Sequence, residues 1–290
     1  MEETLIIRGR PITPDDLTLI QSLIQTHWQR GRKFISGELC HHWQWYQPNG
    51  NLKDMACREL LLRLERRGLI QLPPRRNPAN NEKRNRMPSL IETTETPLEG
   101  KLSQFGPVEL KMVRHTPLEP LYNSLIQRYH YLGYRQIVGA HLKYIAFLGG
   151  QVVACLGWGS PAWRVSCRDQ FIGWSDQIKE KNLHMIAQNN RFLILSHIKI
   201  PHLASKLLSL NIKQIRKDWP TYFGHPLYLL ETFVDHQRFK GTSYQAANWI
   251  HVGQTKGFTK KGNVSLYHGI IKDVYLYPLV KDFRRLLLRR

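Results

Sequence analysis

Two carboxylates and a tyrosine lie within the stretch "ETFVDHQRFKGTSYQAANW", residues 231–249. Glu231 and Asp235 follow the apolar run "HPLYLL", which is typical of a buried strand, and Tyr244 follows a Gly-Thr-Ser turn. Carboxylate oxygens suit Mg²⁺, and carboxylates can also act as acid and base at a phosphate. Tyrosine forms covalent intermediates where neighbours lower its effective pKa. The stretch predicts phosphodiester chemistry, with Glu231 and Asp235 as catalytic groups or Mg²⁺ ligands and Tyr244 as the candidate nucleophile.

Each of these residues also has a structural interpretation, which the sequence leaves open. Glu231 and Asp235 could cap a loop and pair with Arg238 or Lys240. Tyr244 could be a buried core residue, since buried tyrosines are common. The sequence therefore leaves both a catalytic and a structural role open for these three residues.

Two histidines are further catalytic candidates. His130 lies in "YHYLG" and His197 in "SHIKIPH", and both follow elements expected to reach the same sheet edge. Because histidine titrates near neutral pH, either could relay a proton. Hydrogen-bonded core histidines are the alternative, since the spacing of His197 and His202 matches no standard metal motif.

The chain carries 42 Lys and Arg residues against 22 Asp and Glu, a formal net charge of +20. Such an excess repels itself unless a polyanion is the partner, so nucleic acid is the first expectation and general solubility the alternative. No apolar run approaches the ~20 residues of a membrane span, and no signal peptide is recognisable, which predicts a cytoplasmic protein without membrane contacts. The predicted nucleic-acid-binding residues are Lys53, Arg58, Arg63, Arg66, Arg67, Arg75, Arg76, Arg238, Lys240, Asn248, Lys256, Lys260 and Lys261.

Apolar spacing predicts an N-terminal domain over residues 1–72. Two helices, the turn "QPNG", a basic helix in "NLKDMACRELLLRLERRG" and the short strand "LIQLPPRR" follow in the order of a winged helix-turn-helix. The basic helix and the wing would then contact DNA. A helical protein-binding module with solvated arginines is the alternative.

Residues 73–104, rich in Pro, Asn, Arg and Thr, predict a basic linker. Residues 105–290 alternate apolar strands and amphipathic helices, including a hairpin at Gly149 and Gly150, and predict an α/β (α+β) domain around a mixed sheet.

This order of elements resembles the acyl-CoA-dependent N-acetyltransferase superfamily. That resemblance implies a glycine-rich pyrophosphate loop, but the corresponding stretch "IKIPHLASKLL" has no glycine, and Pro201 removes an N–H donor. We therefore expect an acetyltransferase-like fold that does not bind acetyl-CoA.

The segments "NGNLKDMACRELLLRLERRGLIQLP", "YHYLG", "RFLILSHIKIPHLASKLL", "LLETFVD" and "FKGTSYQAANWIHVGQTKG" resemble, in order, the family of the Druantia anti-phage protein DruA, a domain also found in or beside transposases. The resemblance implies a bacterial defence or mobile-element protein that acts on nucleic acid beside defence-system or transposase partner proteins. We expect DNA cleavage or strand transfer. A non-catalytic DNA-binding adaptor and an acyl-CoA-dependent acetyltransferase are the alternatives.

Overall fold

The computed structural model describes residues 5–7, 10–47, 50–76, 87–93, 95–261 and 264–289. The chain divides into two compact units, Met1–Lys83 and Arg84–Arg290. None of the helices in these described ranges is long and apolar enough to cross a membrane.

The first unit is a helical bundle with a short hairpin. Its elements are β1 Leu5–Ile7, β2 Arg10–Ile12, α1 Pro14–Thr26, α2 Arg32–His42 and α3 Asp54–Arg66. A capping box starts α1, because the Thr13 hydroxyl accepts from the Asp16 N–H at 3.1 Å and the Asp16 carboxylate accepts from the Thr13 N–H at 3.0 Å. Four residues, Cys57, Leu60, Leu61 and Leu64, form the buried face of α3.

The strand predicted for the wing is absent from the described residues. Residues 69–73 run as an irregular segment, although Ile70 and Leu72 are buried against the helices. The N–H of Leu72 donates to the carboxylate of Glu65 at 3.1 Å, and Pro73 and Pro74 have no N–H to offer a ladder. The prediction of a strand after α3 is therefore wrong, and a winged helix is not confirmed.

The second unit is built on a mixed sheet of seven strands in the order β10-β13-β9-β7-β6-β5-β4. These strands are β4 Glu109–Met112, β5 His141–Leu148, β6 Gln151–Gly159, β7 Ile186–Ile194, β9 Leu229–Asp235, β10 Ile250–Gln254 and β13 Lys272–Pro278. Neighbours pair antiparallel except β7 and β9, which pair parallel. The predicted mixed-sheet α/β domain is confirmed, as is the β5–β6 hairpin.

Helices cover both faces of this sheet. They are α4 Glu119–Tyr129, α5 Ser166–Ile172, α6 Asp176–Asn182, α7 Leu203–Phe223, α8 Thr242–Ala246 and α9 Phe283–Leu287. Consecutive residues of β9 point to opposite faces, so Leu230 packs with α7 while Leu229 packs with α5 and α9. This alternation determines which helices each side chain of β9 can contact.

Four short strands, paired two by two, complete the unit. The strand β3 Leu98–Glu99 pairs parallel with β8 Ile198–Lys199, and β11 Phe258–Lys261 pairs with β12 Val264–Tyr267. The β3 segment falls within the predicted linker, but Leu98 and Leu102 pack against the core instead of forming a free tether.

Candidate functional site

A cavity opens where the two parallel strands of the sheet separate. Residues 186–189 of β7 pair with residues 229–232 of β9, and beyond these the ladder between the two strands stops. Asn190 is a bulge, because its neighbours Asn189 and Arg191 pair with consecutive residues of β6. The carboxyl ends of β7 and β9 therefore enclose a space, and such ends are where sites gather in α/β sheets.

The cavity has a volume of about 640 Å³. Besides β7 and β9 it is bounded by the end of α4 and residues 130–132, by Ala204 of α7, and by residues 239–244. Gly241 permits the last segment to pack closely. Its φ is 70°, and a β-carbon there would lie 2.3 Å from the Tyr275 hydroxyl.

Tyr244 lines the cavity, but its hydroxyl is held in a buried hydrogen-bond network. It donates to Asn189 Oδ1 at 2.7 Å and lies 3.4 Å from the Thr232 hydroxyl. Burial raises the pKa of Tyr244 well above that of a free phenol. Tyr244 is therefore not an activated nucleophile in this structure, because the phenol is buried and donates its proton to Asn189.

Glu231 does not face the cavity. Glu231 lies in β9 two residues after Leu229, so both side chains are on the sheet face that packs against α5. The next residue, Thr232, is on the opposite face and contacts Tyr244. The Glu231 carboxylate accepts from Arg168 at 2.8 Å and from the Ala162 N–H at 2.9 Å, and both charged side chains are fully buried. β9 continues through Glu231 to Asp235, so Glu231 lies inside the strand and Asp235 at its end.

Burial opposes the charge of Arg168, but the adjacent carboxylates of Glu231 and Asp169 raise its pKa, so the guanidinium stays charged. Glu231 and Asp235 are also four strand residues apart, about 13 Å at ~3.3 Å per residue, too far to bind one ion. No three His, Cys, Asp or Glu side chains of the described residues form a metal-binding group. Glu231 and Asp235 are therefore too far apart in this structure to bind the same Mg²⁺ ion.

Asp235 is the one carboxylate among the described residues that line the cavity. Its side chain is mostly buried, accepts from the Gln237 N–H at 3.2 Å, and lies 3.5 Å from Arg238. Lys240 and Lys272 line the same space.

Arg191, which sequence reasoning missed, places a cation in the cavity wall. Its guanidinium donates to the backbone carbonyls of Gly133, at 3.3 and 3.2 Å, and of Asn190, at 2.7 Å. No carboxylate of the described residues lies within ion-pair distance, and burial lowers its pKa. The neighbouring Asn190 Oδ1 is buried and accepts no hydrogen bond from the described residues. The polar run "NNR" inside an otherwise apolar strand was the available signal.

Aromatic rings form the rim of the cavity. The side chains of Tyr131 and Phe239 are 39% and 51% exposed, and their ring centroids lie 5.6 Å apart. The guanidinium of Arg238 lies 5.1 Å from the Tyr131 ring centre. We call Tyr131, Phe239 and Arg238 the aromatic rim.

The two predicted histidines have different positions. His130 lines the cavity, stacks on Tyr131, and accepts from the Leu132 N–H at 3.2 Å through Nδ1. Burial, assisted by Arg191, lowers its pKa to about 4, so it is neutral at pH 7. His197 lies in the turn between β7 and β8, outside the cavity, and its buried Nδ1 has no partner among the described residues.

The remaining predicted residues are spread over both units. Arg58 pairs with Asp54 and Arg63 with Glu59, each at 2.7 Å, while Arg66 and Arg67 are exposed beyond them. The half-buried Lys53 precedes α3, and Arg75 and Arg76 are exposed.

In the second unit, Asn248 adopts a φ of 64° and lines a separate cavity of about 530 Å³ beside the start of α7. Lys256 is exposed before β11. The side chains of Lys260 and Lys261 lie outside the described part of the structure.

Solved structures similar to this chain include three acetyltransferases. An N-acetyltransferase from Staphylococcus aureus Mu50 is 14% identical, with a TM-score of 0.38, over 60% of this chain and 99% of its own. A probable acetyltransferase from Staphylococcus epidermidis ATCC 12228 is 11% identical, with a TM-score of 0.39, over 60% and 100%. An Elizabethkingia anophelis GNAT family acetyltransferase with acetyl-CoA bound is 9% identical, with a TM-score of 0.37, over 59% and 98%.

No curated protein matches this chain in sequence. The sequence model of one family, described as Druantia protein DruA, matches residues 63–264. This match spans more than half of the chain, from within α3 to the start of β12. The chain therefore belongs to the DruA family of anti-phage defence proteins.

Proposed function

We propose that the protein binds a single nucleic-acid strand in the cavity between β7 and β9 and cleaves or transfers it during anti-phage defence. The observation that carries the proposal is Arg191, a half-buried cation held by carbonyl oxygens rather than by a carboxylate. A desolvated charge of this kind favours an anionic ligand. Lys240 and Lys272 in the same cavity add to that preference.

The aromatic rim favours an unpaired strand. Bases stack on exposed aromatic rings and on arginine planes, and each stacked base contributes roughly 1–3 kcal/mol. In a duplex those base faces are covered by neighbouring bases. Tyr131 and Phe239 would thus hold bases while Arg191 and Lys240 hold phosphates, and Asn190 Oδ1 could accept from a base amino group.

The chemistry that these groups support is hydrolysis of a phosphodiester: an activated water forms a new P–O bond, Asp235 takes its proton, and the P–O bond to the leaving strand end breaks. Asp235 supplies the base, and the cations stabilise the charge that develops on the phosphate. His130 is neutral and can donate a hydrogen bond from Nε2, because its Nδ1 accepts from Leu132. Attack by Tyr244 is less favoured, since its burial opposes ionisation.

Binding is expected to be tight and strongly salt-dependent. A labelled single-stranded oligonucleotide titrated with the protein should lose orders of magnitude in affinity between ~50 and ~200 mM salt. Lys240→Ala should weaken binding and reduce the salt slope, whereas Lys181→Ala, an exposed lysine of α6, should not change the slope. A flat salt response would overturn the proposal.

Cleavage is expected to depend on Asp235. Asp235→Asn keeps an oxygen acceptor for the Gln237 N–H but removes the base, so product formation should fall about 10²–10⁴-fold while strand affinity is kept. Denaturing gels with and without Mg²⁺ measure the products. If the wild type forms no product, the protein is a non-catalytic DNA-binding adaptor. If the Asp235→Asn variant keeps full activity, Asp235 is not the catalytic base.

Acyl transfer from acetyl-CoA is the second candidate, favoured by one observation. The residues of β7 beyond Asn189 are not paired with β9 and could offer backbone groups to an extended amide-bearing ligand.

We nevertheless expect no specific heat when acetyl-CoA is titrated calorimetrically. The turn before α7 carries Pro201, which has no N–H, and His202, whose backbone has the left-handed φ of 62° that glycine adopts more readily. Micromolar binding in that titration would favour the acetyltransferase over nucleic-acid processing.

A further inference from the structure

The first unit contains a basic groove that lies beside α2. Its volume is about 750 Å³, and it is lined by Arg30, Arg32, Lys33, Arg58, Arg75 and Arg76. Among the described lining residues the one carboxylate is that of Glu38. We call this surface the basic groove.

Two of these cations are already neutralised. Arg32 pairs with Glu65 at 3.3 Å and donates to the Pro73 carbonyl at 2.6 Å, and Arg58 pairs with Asp54. The contact from Arg32 to Pro73 holds the segment that follows α3 against α2. These contacts shape the groove but leave little charge for a ligand.

The other four cations have no carboxylate within ion-pair distance among the described residues. Arg76 donates to the carbonyl of Gln29, and the Arg30 guanidinium lies 3.4 Å from the centre of the Phe34 ring. Neutral partners therefore position these two side chains without cancelling their charge. Lys33 and Arg75 are exposed at the same groove.

The basic face predicted on α3 is weaker than this groove. Arg58 and Arg63 are both engaged by acids one turn earlier in α3, which leaves Arg66 and Arg67 at its end. The unpaired cations of the basic groove lie instead just before α2, in its first turn and after α3.

We propose that the basic groove binds the sugar-phosphate backbone of duplex DNA. Unpaired cations in a concave surface complement closely spaced phosphates. The Phe34 ring is half-buried and Arg30 covers one of its faces, so it is less accessible to an unstacked base than the Phe239 ring, which is 51% exposed. The groove is thus suited to a backbone whose bases remain paired, unlike the aromatic rim of the second unit. This inference does not depend on the proposed cleavage.

The test compares two double charge reversals in the full chain. Lys33→Glu with Arg75→Glu changes the groove, and Arg66→Glu with Arg67→Glu makes the same change in net charge at the end of α3. Fluorescence anisotropy with a labelled 20-base-pair duplex measures affinity against salt. The groove variant should lose at least tenfold in affinity, and its log-log salt slope should fall by about two, since each phosphate contact contributes ~0.9. The α3 variant should lose much less.

Equal losses in both variants, or no loss in the groove variant, would overturn the proposal. If the melting curve shows that the groove variant is unfolded, Lys33→Gln with Arg75→Gln replaces it, with Arg66→Gln and Arg67→Gln as its control. Affinity for a single-stranded oligonucleotide reports separately on the cavity of the second unit. A failure of single-strand binding together with a groove-specific loss of duplex binding would reject the proposed function and retain this inference.

Discussion

Replacing Glu231 with glutamine is expected to lower the free energy of unfolding by about 3 kcal/mol, within the ~3–5 kcal/mol typical of breaking a buried ion pair. The reason is that Arg168 would keep its charge in a fully buried position with only Asp169 to compensate it. At ~2–4 °C per kcal/mol for a unit of this size, the melting temperature should fall by about 10 °C. Thermal melting followed by circular dichroism measures the change.

Two further variants make this prediction specific. Glu180→Gln removes an exposed carboxylate of α6 and should leave the melting temperature within about 1 °C. Replacing both partners, Arg168→Met with Glu231→Leu, should be less destabilising than Glu231→Gln, because no buried charge remains unpaired. If the Glu231→Gln protein melts like the wild type but no longer processes DNA, Glu231 has a catalytic role and the structural interpretation is wrong.

Removing the two rings of the aromatic rim is expected to weaken binding of single-stranded nucleic acid about tenfold to a hundredfold for each ring. Alanine at Tyr131 or Phe239 deletes a surface on which a base can stack, and each such contact contributes roughly 1–3 kcal/mol. Both rings are substantially exposed, so the folded state should tolerate the change. Anisotropy with a labelled single-stranded oligonucleotide measures the loss.

Tyr222→Ala is the matched control, because Tyr222 is an α7 tyrosine that is 45% exposed and does not line the cavity. It should bind like the wild type. Duplex binding should also be unaffected by the rim variants if duplex DNA contacts the first unit. Unchanged single-strand affinity in the Tyr131→Ala, Phe239→Ala double variant would mean that the strand binds elsewhere.

The local patterns of this sequence determined much of its architecture. Leu60, Leu61 and Leu64 recur at helical spacing and become the buried face of α3, and Gly149 with Gly150 joins β5 to β6. These features depend on contacts between residues close in the chain, which periodicity and turn chemistry record directly. The family could also be predicted, because the motifs that identify it are contiguous segments of the sequence.

The site was decided by tertiary structure. Glu231 and Tyr244 are thirteen positions apart in the sequence, yet the alternation of β9 places Glu231 on the α5 face, where Arg168 binds it, and Thr232 on the face of Tyr244. Arg168 and Glu231 are 63 positions apart, so no local sequence pattern predicts that they form an ion pair. Likewise Arg191 meets residues 130–132 and 239–244 only where β7 and β9 separate, and that separation depends on where the ladder between distant strands stops. The sequence by itself determined most of the helices, most strands of the seven-stranded sheet, the charge and the family. Packing between distant segments determined which carboxylate is buried in an ion pair and which lines the cavity.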